Sequence, residues 1–178
     1  MLPDFMIIGA QKSASTYIQQ CIAEHPEVYL KKGETALFEE KYNFNKKFED
    51  FKNTFAKGIN KKAYGIKRPN YLAIDNVPGR IANHIPGIKL IVVLRNPVDR
   101  ALSAYYHYMR YGFIPVFPIH EGLPKLIRGE YKQKYPRSKE IINFGFYYNH
   151  ISRYLQYFND NQLLIILNHC CPVKPKFI

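Results

Sequence analysis

Asp4-Phe-Met-Ile-Ile-Gly9-Ala-Gln-Lys12-Ser-Ala-Ser-Thr16-Tyr17 is the stretch that decides the fold. The apolar run Phe5 to Ile8 stops at Gly9, a short series of small and polar residues follows, and a helical pattern begins at Tyr17 with Ile18, Cys21 and Ile22. Strand, tight loop and helix N-terminus in that order make an anion site. Unpaired backbone N–H groups and the helix dipole converge on one spot, and Lys12 adds a full positive charge there. Ser13, Ser15 and Thr16 contribute hydroxyl donors beside it. The ligand is expected to be a phosphate or a similar oxyanion. A Walker A loop requires G-x-x-x-x-G-K-[ST]. Here Lys12 lies only three residues after Gly9 with no second glycine before it, and no acidic strand end offers itself to Mg²⁺. The loop is therefore P-loop-like but shorter, which disfavours an ordinary NTPase.

A second segment points the same way. Lys89-Leu-Ile-Val-Val-Leu94 is a continuous apolar run, the pattern of a strand buried on both faces of a parallel sheet. It runs into Arg95-Asn-Pro-Val-Asp-Arg-Ala-Leu-Ser103. Arg95 falls at the carboxyl end of that strand, where open α/β sheets bind ligands, Pro97 suits a helix start, and Ser103 follows on the helix. The Arg95 fork and the Ser103 hydroxyl fit a second phosphate. Arg100 reads either as another phosphate ligand or as an outward ion-pair partner of Asp99, and the solvated role is favoured. Alternating strand and helix patterns argue an α/β fold with a parallel sheet in one domain.

Two anion sites at the ends of parallel strands imply a ligand with two separated phosphate-like groups. At this point the chain resembles the PAPS-dependent sulfotransferases, specifically the carbohydrate (heparan sulfate-like) branch and its bacterial relatives. Gly9-Ala-Gln-Lys-Ser-Ala-Ser-Thr16 is similar to that family's 5′-phosphosulfate loop, G-x-x-K-[SG]-[GA]-[ST]-[ST], and Arg95-Asn-Pro-x-x-Arg-x-x-Ser103 to its 3′-phosphate motif. The resemblance implies a P-loop-like three-layer fold, a central parallel sheet flanked by helices, over residues 1–167. It implies a sulfuryl transfer from 3′-phosphoadenosine 5′-phosphosulfate (PAPS) to a hydroxyl or amine, leaving adenosine 3′,5′-bisphosphate. Gln11, Lys12, Ser13, Ala14, Ser15, Thr16, Tyr17, Arg95 and Ser103 are then the cofactor-binding residues, with no metal required.

The resemblance also supplies catalytic candidates. Lys32-Gly-Glu34-Thr-Ala-Leu-Phe38 resembles the family's E-x-x-[FL]-F segment, whose glutamate is the base, so Glu34 is the candidate base. Gly65-Ile-Lys67-Arg-Pro69-Asn-Tyr71 resembles E-K-[ST]-P-x-Y, which nominates Lys67 beside Lys12 at the sulfuryl group. Ile66 and Arg68 depart from that pattern, leaving Arg68 as a possible reader of an anionic acceptor. His107 is the next candidate base. Tyr147, in the G-x-Y segment before the strand Leu163 to Leu167, is expected either near the phosphosulfate or in the core.

The remaining sequence sets the surroundings. Between Lys31 and Lys62, Phe38, Phe44, Phe48, Phe51 and Phe55 recur at near-helical spacing and predict a short helical insertion with its aromatic face inward. The net charge of +12 is spread over loops and helices and matches no nucleic-acid-reading element, so no nucleic-acid partner is expected. Such a field would instead steer an anionic cofactor towards a small-molecule, carbohydrate or lipid acceptor site. Cys21 is expected to be buried, and Cys170-Cys171 with His169 do not make a metal clamp. Free thiols and the lack of any long apolar run predict a cytoplasmic protein with no membrane span. Residues 168–178 read as an irregular tail where the family normally continues into a nucleotide lid. The alternative function is therefore an inactive or truncated relative that binds adenosine bisphosphate or a polyanion without turnover.

Overall fold

Five short strands carry the chain through one parallel sheet: β1 (Phe5–Gly9), β2 (Val28–Leu30), β3 (Ala63–Lys67), β4 (Lys89–Arg95) and β5 (Leu163–Asn168), in the spatial order β2-β3-β1-β4-β5. The computed structural model describes residues 1–168, so apart from Asn168, which closes β5, the expected tail with His169, Cys170 and Cys171 lies outside the described residues. Every pairing is parallel: Phe5 faces Gly65 on one side and Lys89 on the other, and Leu90 faces Leu163. Chain order thus reverses around β1, which puts a topological switch point, where open α/β sheets bind ligands, at its carboxyl end.

The helices follow from the connections parallel strands require. They are α1 (Ser15–Ala23), α2 (Phe44–Thr54), α3 (Val77–His84), α4 (Pro97–Arg110), α5 (Ile119–Ile127), α6 (Glu140–Asn143) and α7 (Tyr147–Tyr154). Met6 and Ile8 of β1, with Ile66, Leu90 and Val92, join Phe48, Phe51, Val77, Ile81 and Tyr154 from α2, α3 and α7 in one core. Ile7 points to the opposite face by strand alternation and is equally inaccessible, so β1 is covered on both sides. This is the expected three-layer α/β architecture. The aromatic insertion is also a helix, α2, with Phe48 and Phe51 inward, while Phe38 sits on a separate 3₁₀ turn, Leu37–Glu39. Between α1 and β4 lie two further strands, β2 and β3, that the sequence patterns did not reveal. Each is only three to five residues long, too short for a periodic signal.

Two other expectations are corrected. Cys21 is exposed, because α1 turns that position outward. Arg100 is fully buried and does not pair outward with Asp99. It lies on the same α4 face as Ala104 and Tyr108, four and eight residues on, and that face packs into a second cluster with Tyr105, Leu126, Tyr131 and Ile141. Its guanidinium donates to the Ile141 carbonyl, while Nε and Nη1 have no partner.

Candidate functional site

Gly9 ends β1 where a side chain could not follow: a Cβ there would meet the Leu72 Cβ at 2.6 Å. The chain then turns through Lys12 and Ala14, both in the left-handed region at φ 66° and 70°. Ala14 is the residue preceding α1, and no side chain caps that helix, whose first turn carries no acidic residue. The first N–H groups of α1 are therefore left to solvent or to an anion. Across the sheet, β4 ends at Arg95 and α4 starts on Pro97, capped by Asn96, whose Oδ1 accepts the Val98 and Asp99 N–H groups at 2.9 and 3.3 Å. Tyr147 donates its hydroxyl to the Arg95 carbonyl at 3.0 Å, so this tyrosine fixes the strand end from α7.

These two strand ends open onto one cavity of about 640 Å³. Gln11, Lys12, Ala14, Ser15 and Thr16 line it from the loop, Arg95 and Ser103 from β4 and α4, and Glu34, Arg68, Pro69 and Asn70 from the far side. Ser13 is buried behind the loop with an unpartnered Oγ, and the Tyr17 side chain is exposed, outside the cavity lining. The cavity suits a doubly anionic ligand on its own evidence. It joins an uncapped helix N-terminus to the Arg95 guanidinium, whose Nε is buried without a partner. Burial, and then Arg95 nearby, push the Lys12 ammonium below its ordinary pKa, so an arriving anion would relieve an uncompensated charge. Among the described residues no group of three His, Cys, Asp or Glu side chains is placed to hold a metal ion.

Lys67 sits behind the loop, only 4% exposed, with Nζ donating to Thr16 Oγ1 at 2.9 Å and lying 3.9 Å from Glu34 Oε1. Burial lowers its pKa, partly offset by Glu34. The Glu34 loop is anchored twice. Gln19 of α1 donates to the carbonyls of Lys31 and Gly33 at 2.8 and 3.3 Å, and the Thr35 N–H donates to the Lys67 carbonyl at 3.0 Å. Arg68 is not free to read an acceptor: Nε and Nη2 grip Glu39 at 2.5 and 2.7 Å, and Nη1 donates to Glu34 Oε2 at 2.6 Å.

The opposite wall holds His107, the second candidate base, together with Tyr111, Phe113 and Arg137, which the sequence reading did not single out. His107, on α4, faces the cavity with Tyr111 and Phe113, and Arg137 lies 4.2 Å over the Phe113 ring while pairing with Glu140 at 3.0 Å. Burial and the nearby Lys12, Arg137 and Arg110 charges keep His107 below its ordinary pKa. Gln11 joins this wall to the loop through Asn70 at 3.2 Å and Tyr108 at 3.3 Å. Tyr105 is buried and donates to the Phe117 carbonyl at 2.9 Å, outside the cavity. Arg137 had no local signal, since it stands in a lysine-rich stretch without clear periodicity.

A family model described as a sulfotransferase domain matches residues 2–167. Among curated proteins, the chain is 30% identical over 180 residues to the mouse bifunctional heparan sulfate N-deacetylase/N-sulfotransferase 4, covering 93% of this chain and 20% of that protein. It is 28% identical over 180 residues to the human enzyme numbered 3, with the same coverage of 93% and 20%. The chain therefore spans about a fifth of the length of the curated relatives it matches. Among solved structures, a sulfotransferase from Alicyclobacillus acidocaldarius aligns with a TM-score of 0.78 at 26% identity, over 94% of this chain and 73% of that one. The mouse sulfotransferase SULT7A1 complexed with PAP shares the fold, with a TM-score of 0.55 at 20% identity over 93% of this chain and 50% of that one.

Proposed function

The chain belongs to the sulfotransferase family, and on that premise we propose that it moves a sulfuryl group from PAPS to a hydroxyl or amine of a carbohydrate acceptor. The observation that carries the reading is the single cavity that joins the uncapped α1 N-terminus and Lys12 to Arg95 and Ser103, with Glu34 on its far wall. The carbohydrate acceptor rests on the heparan sulfate enzymes among the relatives.

When bound, PAPS supplies a sulfuryl group already activated by its nucleotide phosphate leaving group. Lys12 and the first N–H groups of α1 hold the anionic 5′ end and offset the charge that grows on the leaving phosphate. Arg95 and Ser103 hold the 3′-phosphate, which distinguishes this donor from an ordinary adenylate. Glu34 takes the proton from the acceptor hydroxyl or amine as the new bond to sulfur forms and the bond to the phosphate oxygen breaks. Lys67 steadies the site by its hydrogen bond to Thr16 and its charge near Glu34. The residues present meet the needs of charge neutralisation, alignment and proton removal that such a transfer makes.

The test is donor-labelled transfer. The protein is incubated with ³⁵S-PAPS and a panel of N-deacetylated and unsulfated polysaccharides, simple sugars and lipid alcohols, and product label is counted beside the Glu34→Gln variant. The reading predicts label on a polysaccharide and a loss of about 10²–10⁴-fold in turnover for Glu34→Gln. Label confined to lipid alcohols would remove the carbohydrate acceptor, and equal calorimetric affinity for adenosine 3′,5′-bisphosphate and AMP would remove PAPS as donor.

A further inference from the structure

We propose that Arg68 and Glu39 form a positioning pair that fixes the Glu34 carboxylate for proton transfer, an inference that rests on Glu34 being the base. The Glu34 backbone is anchored, but its own loop leaves the side chain unconstrained. Its side chain is 40% exposed, and it follows Gly33, which stands at φ 77° in a loop. A carboxylate on such a segment samples several rotamers, and a base must sit within hydrogen-bond reach of the proton it removes.

Arg68 supplies the missing constraint. Its backbone N–H donates to the Ile7 carbonyl at 2.9 Å, so the residue is tied to the central strand. Its guanidinium spends one edge on both Glu39 oxygens and presents the remaining Nη1 to Glu34 Oε2 at 2.6 Å. The planar fork permits this because its donors have fixed directions: once two are pinned by Glu39, the third points one way. Glu39 is itself anchored. It ends the 3₁₀ turn whose Leu37 and Phe38 enter the core, and the Phe38 N–H donates to the Tyr71 hydroxyl at 3.0 Å. Arg68 and Glu39 are 21% and 22% exposed, more sheltered than Glu34, as expected of a support beneath a group that faces the cavity. On the other side, Lys67 approaches Glu34 Oε1 to 3.9 Å. The carboxylate is thus held between consecutive cations of one strand end, with Glu39 neutralising the one that would otherwise be free to turn towards an anionic ligand.

Glu39 is therefore distinct from its neighbour Glu40, whose carboxylate pairs with Lys47 at 2.7 Å outside the cavity. The test is a mutant cycle with two readouts. Glu39→Gln and Arg68→Lys should each lower kcat, up to about 10²-fold for a misplaced group, while the affinity for adenosine 3′,5′-bisphosphate stays within about twofold. In a Glu34→Gln background, Glu39→Gln should cost nothing further, because the group it positions has lost its function. In the ligand-free protein, the Arg68 Nε–H NMR signal should be protected in the native chain, broaden in Glu39→Gln and remain in Glu40→Gln. Additive losses in the Glu34→Gln background, or an unchanged Arg68 signal, would overturn the positioning pair while leaving the base assignment standing. Full turnover of Glu34→Gln alone would remove the base reading, and this inference with it.

Discussion

Replacing Lys12 by Met separates what the anion loop does for binding from what it does to stability. In the ligand-free protein the Lys12 ammonium is half-buried, and both burial and Arg95 push its pKa down. The sign follows directly: the unfolded chain holds the proton more tightly, so the buried charge costs stability at neutral pH, and the cost fades as pH rises through the depressed pKa. Lys12→Met keeps the length of the side chain and removes the charge. Allowing for solvent screening of a partly exposed group, it should stabilise the ligand-free protein by about 0.5–1 kcal/mol at pH 7. That corresponds to roughly 2–4 °C per kcal/mol in a domain of this size, with the gain shrinking towards pH 10. Ligand binding should move the other way. A unit charge about 4 Å from a phosphate oxygen is worth about 4 kcal/mol at an effective dielectric constant near 20, so affinity for adenosine 3′,5′-bisphosphate should fall by about 10³-fold. Turnover at saturation should drop as well, because the charge Lys12 offsets grows as the phosphate leaves. Thermal denaturation at several pH values and titration calorimetry read both arms. A destabilised variant with undiminished nucleotide affinity would refute the argument, since it would make Lys12 a structural cation.

Two further substitutions probe the same loop and its partner strand. Arg95→Gln should cost about 2–5 kcal/mol in binding adenosine 3′,5′-bisphosphate and little for AMP, as measured by calorimetry; equal losses for both would move Arg95 away from the 3′-phosphate. Ala14→Gly should stabilise the fold by about 0.5–1 kcal/mol in chemical denaturation. Relief of an L-residue at φ 70° outweighs the added chain entropy of glycine, and a net loss would mean that loop carries no such strain.

The parts of this molecule that were legible in the sequence are those where one local pattern dictates one geometry. Phe5 to Gly9 and Lys89 to Leu94 are continuous apolar runs because both strands lie inside the sheet, and the switch-point loop follows from Gly9 and Lys12. Pro97 marked the α4 start, and the Asn96 side chain caps it as its chemistry allows. What escaped depends on distance along the chain. Arg100 looks like a solvent charge until α5 and α6 close over α4 and bury it. Arg68 looks like a free cation until Glu39, 29 residues earlier, takes two of its donors. Arg137 reaches the cavity only because Glu140, Phe113 and Tyr108 hold it there. No window of sequence contains those partners together.

The charges around the cavity fall into two groups, paired and unpaired. Lys12, Arg95, Arg68 and Arg137 converge on one space, and only Arg68 and Arg137 have carboxylate partners within it or behind it. The two that do are tied back by Glu39 and Glu140, whereas burial and the like charge of Arg95 both push the Lys12 ammonium towards losing its charge. A ligand bringing two anionic groups thus gains most at Lys12 and Arg95, where no native carboxylate has to be displaced. Displacing the Glu39 or Glu140 contacts would instead leave a half-buried carboxylate unpaired and offset the gain. On the proposed reading, this division between neutralised and open cations would select the loop and the β4 end as anion sites and leave the Glu34 wall to an acceptor.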